Sequence, residues 1–161
     1  MTALPTRRDE EWRYAPAEVL AGLKALPEAE HIVVEAGKTE TLCKYVSTGA
    51  EGKVDIQRYQ IEIAEGARCE AFFLLMGGGY KRLDVDVTLA EGAHFELGAV
   101  GIGSGEEVTE IVTRLRHVAP GATSNQVMRG VAMDQATITM IGRIDVAKDA
   151  QKTDAALGAK G

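Results

Sequence analysis

Two carboxylates, Glu70 and Glu96, come closest to a catalytic pair in this 161-residue chain. Each lies four residues after the centre of a repeated turn, so stacked repeats would hold them about 5 Å apart, the spacing of neighbouring strands. Carbohydrate-cleaving enzymes use paired acids at related separations. Nothing around the pair resembles a substrate site. We therefore predict no catalytic residue, interpret both as solvent-exposed, and keep a carbohydrate-active enzyme as an alternative.

A metal site would have to use the two cysteines and the three histidines. No Cys-x-x-Cys or His-x-x-x-His pair occurs among them. Cys43 lies an even number of residues after its turn centre and Cys69 an odd number, which predicts opposite faces of the chain. Cys69 occupies the position that Phe95 holds in the next repeat, which indicates a small core residue. The sequence therefore predicts no metal site and two free cysteines.

His117 lies four residues before its turn centre, in the position that Glu62, Thr88 and Asp145 hold in other repeats. These polar residues predict a solvated column on one sheet face. The functional alternative is a surface histidine that contacts a partner protein.

Several classes of function are disfavoured by the composition. The net charge of −6 argues against a broad nucleic-acid-binding surface. The glycine-rich "GIGSGE" has Glu106 where a dinucleotide-binding loop needs its last glycine, and no stretch matches a phosphate-binding P-loop. The longest strongly apolar run, Ala71 to Met76, is far too short to span a bilayer. The start of the chain has no signal-peptide pattern, so we expect a cytoplasmic protein with no membrane contact.

A short turn, written five times as "VEAGK", "IAEGA", "LAEGA", "VAPGA" and "VAKDA", sets these positions. Its centres are Gly37, Gly66, Gly92, Gly121 and Asp149, spaced by 29, 26, 29 and 28 residues. A fixed period in this range is typical of stacked repeats. The residues three before each centre, and the alanines after the last four, are predicted to point inward: Val34, Ile63, Leu89, Val118, Val146, Ala67, Ala93, Ala122 and Ala150.

From about Ile32 to Ala156, apolar and polar residues alternate with period two, as in "VDIQRYQIEI" and "ATITMIGRIDV". The fold class is therefore all-β, a two-sheet parallel β-helix over residues 31–161 with coils of about 26–29 residues. The stretches "MGGGYK" and "VGIGSGEEV" are predicted to be its variable corners.

Residues 1–30 are predicted to form a short helical N-terminal segment. Thr6 with Asp9 gives a helix-capping pattern. Trp12 and Tyr14 are predicted to anchor the segment on the β-helix. A second helix would carry on one face Val19, Leu20, Leu23 and Leu26.

The opening "LPTRRDEEWRY" and the late block "HVAPGATSNQVMRGVAMDQATITMIGRIDVAKDAQKTDA" together resemble the SufB/SufD family. The opening is similar to SufD rather than SufB. The residues of the late block that carry the match are His117, Gly121, Ser124, Asp134, Gly142, Thr153 and Asp154.

The resemblance implies a right-handed parallel β-helix and a non-catalytic scaffold that pairs with SufB and binds the SufC ATPase. The iron–sulfur cluster would be handled by that complex, so no cluster ligand is assigned to Cys43, Cys69 or any histidine. Family members continue past the late block into regions that meet SufB and dock SufC, so we expect the SufC docking region to be missing. A fragment and a minimal relative both fit this. A cofactor-free interaction solenoid is a further alternative.

The last coil, Asp145 to Leu157, is not followed by another coil in the sequence. A solenoid end without a cap exposes unpaired main-chain groups. We therefore expect this end to fray from Gly142 onward, or to pair with a second copy of the chain.

Overall fold

The computed structural model describes residues 3–46 and 53–161. A 3₁₀ turn, Glu10–Trp12, and the helix α1, Ala17–Gly22, come first. The strands that follow are β1 Glu30–Val34, β2 Thr39–Val46, β3 Val54–Ile63, β4 Arg68–Leu75, β5 Tyr80–Leu89, β6 His94–Gly103, β7 Val108–His117, β8 Thr123–Ala132, β9 Thr137–Val146 and β10 Asp154–Lys160.

Successive strands alternate between two sheets. Sheet A has the order β1-β3-β5-β7-β9, and sheet B has the order β10-β8-β6-β4-β2. Every strand pair is parallel, so each circuit of the chain adds one strand to each sheet. This confirms the predicted two-sheet parallel β-solenoid, while its right-handed sense stays a prediction.

The core lies between the two sheets. Along β5 and β6 every second side chain points inward, and Leu83, Val85, Phe95 and Leu97 are almost fully buried. Alternation puts the intervening side chains on the outer faces, because successive strand residues point to opposite sides. The period-two pattern of the sequence therefore encodes which residues enter the core.

The repeated turn forms one column of corners. Gly37, Gly66, Gly92 and Gly121 all have positive φ, between 62° and 73°, a conformation that glycine adopts without a steric penalty. Corners are joined along the stack, since the Gly66 amide donates to the main-chain oxygen of Glu91 at 2.9 Å. The predicted stacking of the turn is confirmed, and the alanines predicted to point inward, Ala67, Ala93, Ala122 and Ala150, are buried.

Two details of the predicted corners are wrong. The centre of the last corner is Lys152, which has φ of 56°, rather than Asp149, and the Gly121 amide donates to the oxygen of Gln151. Val118 is 51% exposed rather than inward, because the fourth corner has one extra residue. His117 therefore takes the inward position, in register with Leu89.

The N-terminal segment, residues 3–29, lies on the outer face of sheet A. Trp12 is buried there as predicted, whereas Tyr14 is 58% exposed and does not anchor the segment. Thr6 and Asp9 form the capping contact, with the Thr6 amide donating to the Asp9 carboxylate at 2.7 Å, although a 3₁₀ turn follows it. The four predicted apolar residues pack around Trp12, but the second helix is shorter than predicted and ends at Gly22, so Leu23 and Leu26 lie beyond it. No helix in the described ranges is long and apolar enough to cross a membrane.

Candidate functional site

The late sequence block folds into the last coils, and its first residue, His117, lies inside the solenoid at a corner. It is the final residue of β7, is fully buried, and stands in register with Leu89 and Val146. The predicted column of Glu62, Thr88 and Asp145 is present on the outer face, but Arg116 rather than His117 belongs to it, because the extra corner residue shifts the register by one. A one-residue shift moves a side chain from one face to the other.

His117 and Ser124 contact each other across the corner, with 2.9 Å between His117 Nε2 and Ser124 Oγ. Burial lowers the pKa of His117, because a charged imidazole is poorly solvated inside the protein. The imidazole is therefore neutral near pH 7. Two of the motif residues thus form a buried hydrogen bond between the two sheets.

Three further motif residues build the same corner region. Gly121 provides its positive φ. The Thr153 hydroxyl donates to the Ala150 oxygen at 3.0 Å, and the Asp154 amide donates to the Ala122 oxygen at 3.3 Å. The sequence match here therefore reflects the shape of one corner and the chain that stacks on it.

Asp134 and Gly142 lie away from that corner. Asp134 has φ of 58° at the corner between β8 and β9, and its carboxylate accepts from the Gly105 amide at 3.1 Å. Gly142 lies within β9, where a Cβ atom would collide with the Leu157 side chain. The structure therefore places all seven motif residues but does not gather them into one reactive site.

A polar layer inside the solenoid was missed by the sequence reasoning. Thr113 and Gln126 are both fully buried. The Thr113 hydroxyl and both polar atoms of the Gln126 amide have no hydrogen-bond partner within the described part of the chain. One sequence feature could have indicated this layer: Thr113 is a polar residue at an inward position of the alternating run "VTEIVTRLRH".

Glu70 and Glu96 are paired in register on neighbouring strands, as predicted. The guanidinium of Arg68 lies 3.0 Å from the Glu70 carboxylate and 3.5 Å from that of Glu96. His94 Nε2 lies 3.0 Å from Glu96. A cation therefore lies between the two acids, where a glycosidase would have to place the glycosidic oxygen.

The two cysteines lie on opposite faces, as predicted. Cys43 is exposed and Cys69 is buried beside Phe95, with no disulfide between them. Burial, assisted by the charges of Glu40 and Glu70, raises the pKa of the Cys69 thiol to about 11. Across residues 3–46 and 53–161, no three His, Cys, Asp or Glu side chains are placed to hold a metal ion.

A buried network of charges lies beneath the N-terminal segment. The Arg82 guanidinium binds the carboxylates of Asp84 at 3.0 Å and Glu110 at 3.1 Å. All three residues are at most 3% exposed. The hydroxyl of Tyr80 donates to Glu110, and burial raises the pKa of Asp84 despite the nearby arginines.

This network joins the N-terminal segment to the solenoid. Arg114 binds Glu11 and lies 2.9 Å from Asp86, and Arg82 stacks on the ring of Trp12. This network could not be recognised in the sequence, because alternating charges in "RLDVDV" are also typical of a solvated face. The role of this charge network is therefore structural: it fixes the N-terminal segment on sheet A.

The fold and these sites define the chain as a two-sheet parallel β-solenoid whose motif residues shape its corners. The family model of the SUF system FeS cluster assembly, SufBD core domain, matches residues 28–160. The chain therefore belongs to the SufBD core domain family, whose role is in iron–sulfur cluster assembly. Neither the curated proteins nor the solved structures include a significant match.

Proposed function

We propose that this chain is a SufD-like scaffold subunit of a Suf-type iron–sulfur cluster assembly complex. In that complex it acts with a SufB-like protein and a SufC-like ATPase. The observation that carries the proposal is the SufBD core domain match over residues 28–160. The similarity of "LPTRRDEEWRY" to SufD favours a SufD-like member over a SufB-like one.

The way the opening stretch folds supports this choice. Its Glu11 and Trp12 contact Arg114 and Arg82 of the solenoid. The SufD-like opening is thus built into the fold through buried contacts, as expected for residues that matter to this type of subunit.

In this proposal the chain is a cytoplasmic scaffold without catalysis of its own. ATP hydrolysis belongs to the SufC-like partner. The iron–sulfur cluster is cargo of the assembled complex, and none of Cys43, Cys69 and the histidines is assigned as its ligand. The solenoid contributes a rigid surface, because each coil is hydrogen-bonded to its neighbours along the stack.

The test is co-expression of this chain with a SufB-like protein and a SufC-like ATPase. We expect the SufB-like protein to co-elute with this chain, and the complex to hold more iron and acid-labile sulfide than the SufB-like protein alone. The same experiment also shows whether the SufC-like ATPase co-elutes with the chain. Clusters that assemble equally well without the chain, together with no co-elution, would instead favour a cofactor-free interaction solenoid.

A further inference from the structure

The outer faces of the two sheets differ in how they are covered. On sheet A the N-terminal segment buries Ile56 and Tyr80 to 7% exposure or less. On sheet B the outward residues Tyr45, Phe72 and Val127 are 58%, 46% and 37% exposed. An apolar patch that continues over several strands commonly marks a binding surface.

We call the outer face of sheet B, which includes Tyr45, Phe72 and Val127, the sheet B face. It contains a groove. The strand register places Phe72 beside Gly98, and Gly98 beside Val127. Because Gly98 has no side chain, the Phe72 ring lies over it, 2.9 Å from where a Cβ atom would stand. The result is a groove of about 330 Å³ that crosses β2, β4, β6 and β8.

The two flanks of the groove differ in charge. On one flank Glu70 and Glu96 share a single arginine, Arg68, and Glu96 also contacts the His94 imidazole, so this flank carries one surplus negative charge when His94 is neutral. On the other flank Arg129 and Lys160 are neighbours in the register, and neither forms an ion pair within the described part of the chain. A partner would have to match an acidic flank and a basic flank across an apolar centre.

We propose that the sheet B face binds an amphipathic helix of a partner protein. The helix lies along the solenoid axis, with basic side chains towards Glu70 and Glu96 and acidic side chains towards Arg129 and Lys160. Because the inner strands are hydrogen-bonded on both sides, this face offers side chains rather than free main-chain groups. This proposal does not depend on the proposed function.

The length of the helix follows from the strand spacing. Neighbouring strands lie about 4.8 Å apart, so the five strands of sheet B span about 19 Å. A helix rises about 1.5 Å per residue. The helix that covers the face therefore has about 13 residues.

The test uses two synthetic 14-residue helical peptides with the same leucine face. One has lysines on one flank and glutamates on the other, and the second has the same composition with lysines and glutamates alternating along both flanks, so that neither flank carries a net charge in either direction of binding. Binding is measured by fluorescence anisotropy of the labelled peptides. We expect the first to bind at least tenfold more tightly, and Glu70→Lys combined with Glu96→Lys to abolish that preference, because both flanks of the groove are then basic.

Variants of the apolar centre complete the design. Phe72→Asp and Val127→Asp should each weaken binding at least tenfold, with folding checked by circular dichroism. Tyr45→Asp replaces either variant if it fails to fold. The matched control is Val33→Asp, at a position 55% exposed on sheet A. Equal binding of both peptides, or none, would overturn the proposal, as would a wild-type dimer that Phe72→Asp converts to a monomer in sedimentation.

Discussion

The guanidinium carbon of Arg82 lies 3.6 Å from the centroid of the Trp12 ring. Both side chains are buried, and a desolvated contact of this kind is worth about 2 kcal/mol. Arg82 also donates to the main-chain oxygen of Glu11 at 2.8 Å. The Arg82 side chain of β5 therefore holds the N-terminal segment at two points, the Trp12 ring and the main-chain oxygen of Glu11.

Replacing Trp12 with alanine should release the N-terminal segment from sheet A. We expect the free energy of unfolding to fall by about 3 kcal/mol, the usual cost of deleting a buried indole. Urea denaturation measures it. The control is Tyr14→Ala, since Tyr14 is 58% exposed and should change the same quantity by less than about 0.5 kcal/mol. Equal losses in the two variants would mean that Trp12 is not the anchor.

Removing one partner of the Arg82–Glu110 pair should destabilise the protein more than replacing both partners with apolar residues. Glu110→Ala leaves the buried guanidinium without one of its carboxylates, which typically costs about 3–5 kcal/mol. The double variant Arg82→Met, Glu110→Leu removes both charges and should cost less than the single variant, although it also loses the contact of Arg82 with Trp12, worth about 2 kcal/mol. Asp84 would keep Arg58 and Arg114 within 4 Å. Thermal and urea denaturation measure the free energy of unfolding of both variants. A double variant that is destabilised as much as Glu110→Ala would contradict this reasoning.

The solenoid could be predicted because its corners are local. A turn that needs a positive φ selects glycine, so Gly66, Gly92 and Gly121 reveal the period wherever they recur. The alternating strands then reveal the core. The pairing of Glu70 with Glu96 followed from those two patterns and the known strand spacing.

Other features depend on tertiary contacts that the sequence does not encode locally. The corner "HVAPGA" has one residue more than "LAEGA", yet its last residues match, so counting back from Gly121 misplaced His117 and Val118. Alternation also cannot say which outer face is covered. Arg82 and Asp84 follow the same pattern as solvated residues, and only the packing of Trp12 distinguishes them.

His117 should make stability depend on pH. Burial lowers its pKa in the folded protein below the ordinary 6.5, so the unfolded chain binds the proton more readily. The stability that the folded protein gains from keeping His117 neutral is present in full above the pKa of His117 in the unfolded chain. It is lost as pH falls from that value to the lower pKa of His117 in the folded protein. The slope in that window is at most about 1.4 kcal/mol per pH unit.

Urea unfolding at several pH values between 5 and 8 tests this. Wild type should lose more stability on acidification than His117→Leu, which places the residue type of Leu89 in the same column. His31→Gln is the control, because His31 lies on the surface. If His117→Leu keeps the wild-type pH slope, another group is responsible for it.

The two cysteines should differ in reactivity. Cys69 is buried with a pKa raised to about 11, so little thiolate is present at pH 8, whereas Cys43 is exposed. Iodoacetamide should modify Cys43 in the native protein and reach Cys69 only after denaturation. Mass spectrometry of the alkylated protein gives the sites, and Cys43→Ser should leave the native protein unlabelled. Native labelling of Cys69 at a comparable rate would show that the coil opens there.

In a protein of residues 1–161, strands β9 and β10 should be less protected than the middle of the solenoid. β9 is hydrogen-bonded to β7 alone and β10 to β8 alone, whereas β5 has partners on both sides. Val146 is 51% exposed, so this end also has little apolar cover. Amides of Thr137 to Val146 should therefore exchange with deuterium faster than those of Val85 to Leu89 in dilute protein.

Concentration distinguishes fraying from pairing of two chains. Open strand edges are templates for another chain, so end-to-end association would slow exchange in Thr137–Val146 as concentration rises. The other edge strand, Glu30–Val34, serves as the internal control, since association through the C-terminal end leaves its exchange unchanged. Exchange in β9 that is as slow as in β5 at high dilution would contradict both outcomes, because the end would then be as stable as the middle of the stack.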